Sequence, residues 1–192
     1  MKNTKLTLAA ILLTAFTLFA FSNDQVSNIE DHEVPGLITA IGTAGGPNTF
    51  TFEKWKWTSF DMPEEKVENI KLSALIDCRS VTTDRKDLEK SVKKKKDYFN
   101  IADFPTATVV VDGAEMSKEE GKWETEALVT IKDITKQLTL TFTISDEAPY
   151  TVVGGGLIKR KKFGFNGGGP EPEVPVHFEA TLPEKAFSGE GN

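Results

Sequence analysis

Residues 126–145, EALVTIKDITKQLTLTFTIS, constrain the fold more than any other part of the chain. Ala127, Val129 and Ile131 alternate with Leu128, Thr130 and Lys132. After a polar break, Leu138, Leu140, Phe142 and Ile144 alternate with Thr139, Thr141 and Thr143. A period of two with β-branched and aromatic residues is the pattern of strands buried on one face. A helix would scatter these apolar residues around its circumference. The stretch therefore predicts an antiparallel hairpin. Its turn is placed in the polar break, at Lys132 and Asp133 with Thr135, Lys136 and Gln137.

The same alternation recurs. Residues 67–81 read as one long strand, with Ile70, Leu72, Ala74, Ile76 and Cys78 on one face and Lys71, Ser73, Asp77 and Arg79 on the other; Leu75 is the exception. Unbroken, it would approach 50 Å at about 3.3 Å per residue, so it must bend, which suits a barrel. Residues 37–43 and 106–112 are shorter strands, and Val176, Phe178, Ala180 and Leu182 mark the last one. In residues 49–60, Phe50 and Phe52 share one parity, and Trp55 and Trp57 share the other. Either a bulge near Glu53 and Lys54 changes the phase, or one aromatic pair lies outside. The glycines at 154–156 predict a flexible connection, 157–165 a basic strand, and 166–175 an extended loop. Residues 83–100 are the one helical reading, with Thr83 or Asp84 as N-cap. The expected fold is all-β: an extended antiparallel barrel of about eight strands with one helical connection, closed because closure removes exposed edges.

The start of the chain has a different logic. Lys2 and Lys5 precede an apolar run over residues 6–20 that ends Ala20-Phe21-Ser22. This is the layout of a secretory signal peptide, here residues 1–22, and it predicts a periplasmic or secreted protein. Residues 23–36 are polar and acidic and read as a flexible lead-in, 37–183 as the barrel domain, and 184–192 as a loose tail. The net charge of -6 argues against a nucleic-acid partner. Cys78 is the only cysteine, so no intramolecular disulfide forms.

Nothing in the motifs asks for catalysis, a metal or a cofactor. His32 lies in the lead-in, and His177 is on the outward parity of the last strand; neither has Cys or carboxylate partners at ligand spacing. Cys78 is on the apolar parity, as a buried inert thiol would be. Glu119 and Glu120 read as solvated loop, and the glycine runs lack a phosphate loop's Lys-Ser/Thr. What remains is the inward parity: Ile70, Leu72, Ala74, Ile76, Val109, Val111, Ala127, Val129, Leu140, Phe142, Phe163, Phe165 and Phe178. These residues either fill the barrel or line a cavity, and parity alone fits both. Residues 85–96 hold seven cations, from Arg85 to Lys96. They form either a solvated helix face or a contact with anionic headgroups.

Three segments, in this order, resemble the YceI-like family of bacterial secreted proteins. The strand ending at Ser80 leads through Thr83 and a charged helix to Asp97-Tyr98-Phe99-Asn100 and Phe104-Pro105. Residues 128–140 are similar to the family's L-x-I-x-G-V-T-K-P-V-x-L hairpin, with Asp133 in place of Gly and Gln137 in place of Pro. Arg160-Lys161-Lys162-Phe163-Gly164 resembles its R-x-D-F-G strand, with Lys162 in place of the acid. The resemblance implies a lipocalin-like barrel around a long apolar cavity. It also implies a non-enzymatic carrier of one hydrophobic chain, such as a polyisoprenoid or isoprenoid quinone. The competing expectation is an envelope interaction or stress-response protein with a filled barrel.

Overall fold

The structure is a computed structural model that describes residues 34–43, 46–167 and 172–189. The signal peptide at 1–22, the lead-in as far as residue 33 and His32 lie outside the described residues.

The strands are β1 (Gly36–Gly42), β2 (Asn48–Phe52), β3 (Trp55–Asp61), β4 (Lys71–Asp77), β5 (Val81–Thr83), β6 (Thr106–Asp112), β7 (Glu115–Met116), β8 (Trp123–Ile131), β9 (Ile134–Ile144), β10 (Thr151–Lys159), β11 (Glu173–Thr181) and β12 (Phe187–Ser188). One α-helix, α1 (Lys86–Lys94), joins β5 to β6 among the described residues. The paired strands run β12-β3-β4-β6-β8-β9-β10-β11-β1-β2-β5, every ladder antiparallel, with β7 attached to β8. The two ends of this path are joined by the chain itself. β2 runs on into β3 through Glu53 and Lys54, and β4 into β5 through the 3₁₀ turn Cys78–Ser80. With β2–β3 and β4–β5 each taken as one bent strand, eight strands form a curled antiparallel barrel.

The central hairpin has the expected parity. Ala127, Val129, Ile131, Leu140 and Phe142 are buried, and Thr139 and Thr143 are exposed. Its turn is tighter than predicted. Only Lys132 (φ 53°) and Asp133 (φ 59°) lie in the turn, both left-handed, as a two-residue hairpin following the strand twist requires. Thr135, Lys136 and Gln137 already pair with Thr130, Val129 and Leu128.

Several local readings are corrected. Residues 67–81 are not one strand. Val67–Asn69 is a 3₁₀ turn, and the strand stops at Asp77. There the Asp77 carboxylate accepts from the backbone N of Arg79 at 2.9 Å and caps the turn Cys78–Ser80. Asp77, on the outward parity of the sequence, is buried. The Arg79 guanidinium holds it through Nε (2.9 Å) and Nη2 (2.8 Å), which compensates the lost hydration. The helix is shorter than 83–100, and its N-cap position is Arg85, with no side-chain cap. Leu88 and Val92 bury one face of it against Val81.

The three glycines at 154–156 are not a flexible connection; they sit in the middle of β10, paired on both sides. Residues 157–165 are not one strand. β10 ends at Lys159, and the 3₁₀ turn Arg160–Phe163 closes on Gly164 in the left-handed region (φ 72°). β11, the last long strand, begins at Glu173, inside the segment read as loop. Within the tail read as loose, Phe187 and Ser188 pair with Phe60 and Ser59.

Candidate functional site: an apolar cavity inside the barrel

Inward side chains from neighbouring strands fall into rows that circle the barrel. One row runs Trp57, Ala74, Val109, Val129 across β3, β4, β6 and β8. A second runs Trp55, Ile76, Ala107, Ile131. A third runs Trp123, Phe142, Gly154, Phe178, Ile38, Phe52 across β8, β9, β10, β11, β1 and β2. Alternating large and small residues in a row let the barrel interior interdigitate.

The rows do not fill the barrel. A cavity of about 250 Å³ remains, just below the roughly 300–1,000 Å³ typical of ligand pockets. Its wall is almost wholly apolar. Ile38, Ala40, Phe50, Phe52, Trp55, Trp57, Ile70, Leu72, Ala74 and Ile76 line it from the first half of the chain. Val109, Val111, Val129, Leu140, Phe142, Val152, Phe165, Val176 and Phe178 line it from the second. The two indoles present no free donor to it. Trp55 Nε1 donates to the Gly36 carbonyl and Trp57 Nε1 to that of Thr181, each at 3.0 Å. Their rings meet edge to face, with centroids 5.0 Å apart. A wall this apolar favours apolar contents, because a polar guest would lose hydration with little replacement.

At one end the cavity reaches the connections beside α1. Tyr98, Phe99, Phe165 and Gly167 line it there. Phe99 stacks edge-on against Phe52 (5.7 Å) and against Phe165 (5.0 Å). Lys132 fastens this end. Its Nζ donates to the carbonyls of Lys96 (2.7 Å) and Gly164 (3.0 Å) and sits 5.2 Å from the centre of the Phe165 ring. Burial pulls the pKa of this ammonium down, and the Asp97 carboxylate opposes that shift. Arg160, which is buried, donates to the carbonyls of Phe165 and Gly167. At the opposite end Met62, Val67, Ala114 and Tyr150 pack against the core.

Eleven of the thirteen inward residues named from sequence line the cavity: Ile70, Leu72, Ala74, Ile76, Val109, Val111, Val129, Leu140, Phe142, Phe165 and Phe178. Ala127 and Phe163 do not. Ala127 is closed over completely, and Phe163 is buried in the 3₁₀ turn after β10. Both aromatic pairs of residues 49–60 line the cavity, so the phase change at Glu53 and Lys54 is real and neither pair is on the outside. The alternation already marked Ala107, Ile131 and Leu138 as inward. Tyr98 and Phe99 fall inside the helix read over residues 83–100, but the helix ends at Lys94 and they reach the cavity from the turn that follows it. His177 is exposed on its strand, opposite Thr39 and Gly155. Among the described residues, no group of three or more His, Cys, Asp or Glu is placed to hold a metal ion. Burial beside Asp77 pushes the pKa of the Cys78 thiol up, away from the thiolate a nucleophile needs.

Closed antiparallel strands around an apolar cavity define a β-barrel of the lipocalin type. The profile of the YceI-like domain matches residues 30–182, and the chain belongs to that family. BcnA of Burkholderia cenocepacia is similar in structure, with a TM-score of 0.64 and 22% identity over 77% of this chain and 96% of its own. A polyisoprenoid-binding domain of Saccharophagus degradans, implicated in plant cell wall breakdown, superposes with a TM-score of 0.58 and 14% identity over 77% and 94%. The YceI protein of Campylobacter jejuni superposes with a TM-score of 0.54 and 20% identity over 70% and 85%. At these identities the likeness establishes the fold. No relative matches among curated proteins.

Proposed function

We propose that the protein is a non-catalytic carrier that holds one hydrophobic, chain-like molecule of the polyisoprenoid or isoprenoid-quinone type. The observation that carries this reading is the cavity: about 250 Å³ inside an otherwise packed barrel, walled by aliphatic and aromatic side chains. Water in such a space finds few polar partners, whereas an apolar chain is stabilised by about 25 cal/mol for each Å² it removes from water. The binding residues proposed are the eleven inward residues named above, joined by Phe50, Phe52, Trp55, Trp57, Phe99 and Val176. A polyisoprenoid-binding domain among the structural neighbours supports a lipidic cargo. A filled barrel acting only through its surface is disfavoured by the same cavity.

The sequence of residues 1–22 supports export, with the mature chain starting at Asn23. N-terminal sequencing of the exported protein tests that start.

Organic extraction of purified protein followed by mass spectrometry tests the carrier. One apolar chain recovered in near-stoichiometric amount is the expected result. Repeated preparations without any such molecule, together with failure to take up added polyprenol, would overturn the reading.

A further inference from the structure

We propose that the end of the barrel beside α1 docks on an anionic membrane surface. The charges are sorted along the barrel. Residues 84–105, 132–133 and 159–167 carry twelve cations against six acids. The connections at the opposite end, residues 61–71, 112–124 and 145–150, carry eleven acids against four cations. The three basic segments are distant in sequence and meet in space. Lys132 Nζ binds the carbonyls of Lys96 and Gly164, and the Gly167 N–H donates to the Asp97 carbonyl at 3.2 Å.

The cations are available. Lys90, Lys94, Lys95, Lys96, Lys161 and Lys162 are exposed, and among the described residues none has a carboxylate within ion-pair distance. The chain has a net charge of -6, so the lysines gathered at one end oppose its overall sign. What the arrangement does provide is orientation. The barrel meets a negative surface with one end forward, and the acidic end is repelled. The forward end is the one where Tyr98, Phe99, Phe165 and Gly167 line the cavity. A lipidic cargo would thus face the bilayer. The sorting over three segments favours the headgroup contact over a merely solvated helix face for residues 85–96.

Vesicles without cargo separate this inference from the carrier reading. Sedimentation is measured with phosphatidylcholine vesicles and with equimolar phosphatidylcholine and phosphatidylglycerol. The protein is expected to bind the anionic vesicles and to be released in 1 M salt, where the Debye length is about 3 Å. Each Lys contributes about 1 kcal/mol near such a surface, so Lys94→Gln/Lys95→Gln/Lys96→Gln should weaken binding about a hundredfold. Lys118→Gln/Lys122→Gln, at the opposite end, should leave it unchanged. Equal binding to both vesicle types, or equal losses in the two variants, would overturn the proposal. Circular dichroism and the thermal midpoint of each variant confirm that the fold is retained.

Discussion

The ring of Phe178 lies across Gly154, its cross-strand partner, so closely that a methyl group on Gly154 would sit 2.8 Å from Phe178 Cζ and 2.6 Å from Phe142 Cβ. Glycine is required there by the Thr141 carbonyl oxygen, 2.4 Å from where that methyl would sit, and by the two phenylalanines beside it in the row. Gly154→Ala is expected to destabilise the barrel by about 1–3 kcal/mol, the usual range for overpacking. Denaturant unfolding measures it. A change within about 0.5 kcal/mol, typical of a surface site, would show that the row relaxes freely.

Ala74 and Ala127 are both small and buried, but only Ala74 lines the cavity. Ala74→Phe should place its ring in the cavity, keep the stability of the delipidated protein, and lower the co-purifying lipid. Ala127→Phe has no such space and should cost about 1–3 kcal/mol. Thermal unfolding of delipidated protein and lipid extraction distinguish the two.

Phe142 points inward, and Thr143, its neighbour in β9, is exposed. Phe142→Asp puts an unpaired carboxylate in an apolar interior and should cost on the order of 4 kcal/mol, whereas Thr143→Asp should stay within about 0.5 kcal/mol. Equal shifts in the thermal midpoint would mean that the parity of β9 is wrong.

Cys78 is 1% exposed, and burial first, then the Asp77 charge, raises its thiol pKa above the ordinary 9.0. The folded thiol stays protonated while the unfolded one ionises. The contribution is therefore fully present below pH 9 and lost as pH rises above it, at up to about 1.4 kcal/mol per unit. Cys78→Val should unfold with a shallower loss of stability between pH 9 and 10.5 than the unaltered protein, a window set by about one and a half units above the ordinary thiol value. The native thiol should also resist alkylation at pH 8 and react once the chain is denatured.

The alternation of Val, Ile, Leu and Phe with polar residues determined the antiparallel barrel, the inward face of each strand and most of the cavity wall. Side-chain direction in a strand has a period of two and needs no knowledge of partners. Residues 128–140 and 160–164 carried enough of a family pattern to announce the kind of barrel. Local signals misled where a partner strand overrides them. Gly154, Gly155 and Gly156 read as a flexible connection, yet they are strand because β9 and β11 pair with them on both sides, and Phe142 and Phe178 pack closely against Gly154. Residues 67–81 read as one strand, yet they break where the Asp77 carboxylate caps a turn. Whether Ala74 faces a void and Ala127 a neighbour depends on how the rows fit across eight strands. The same holds for the meeting of Lys132, Lys96 and Gly164 at one end. Packing and charge convergence are properties of residues far apart in the chain, so only the tertiary structure decided them.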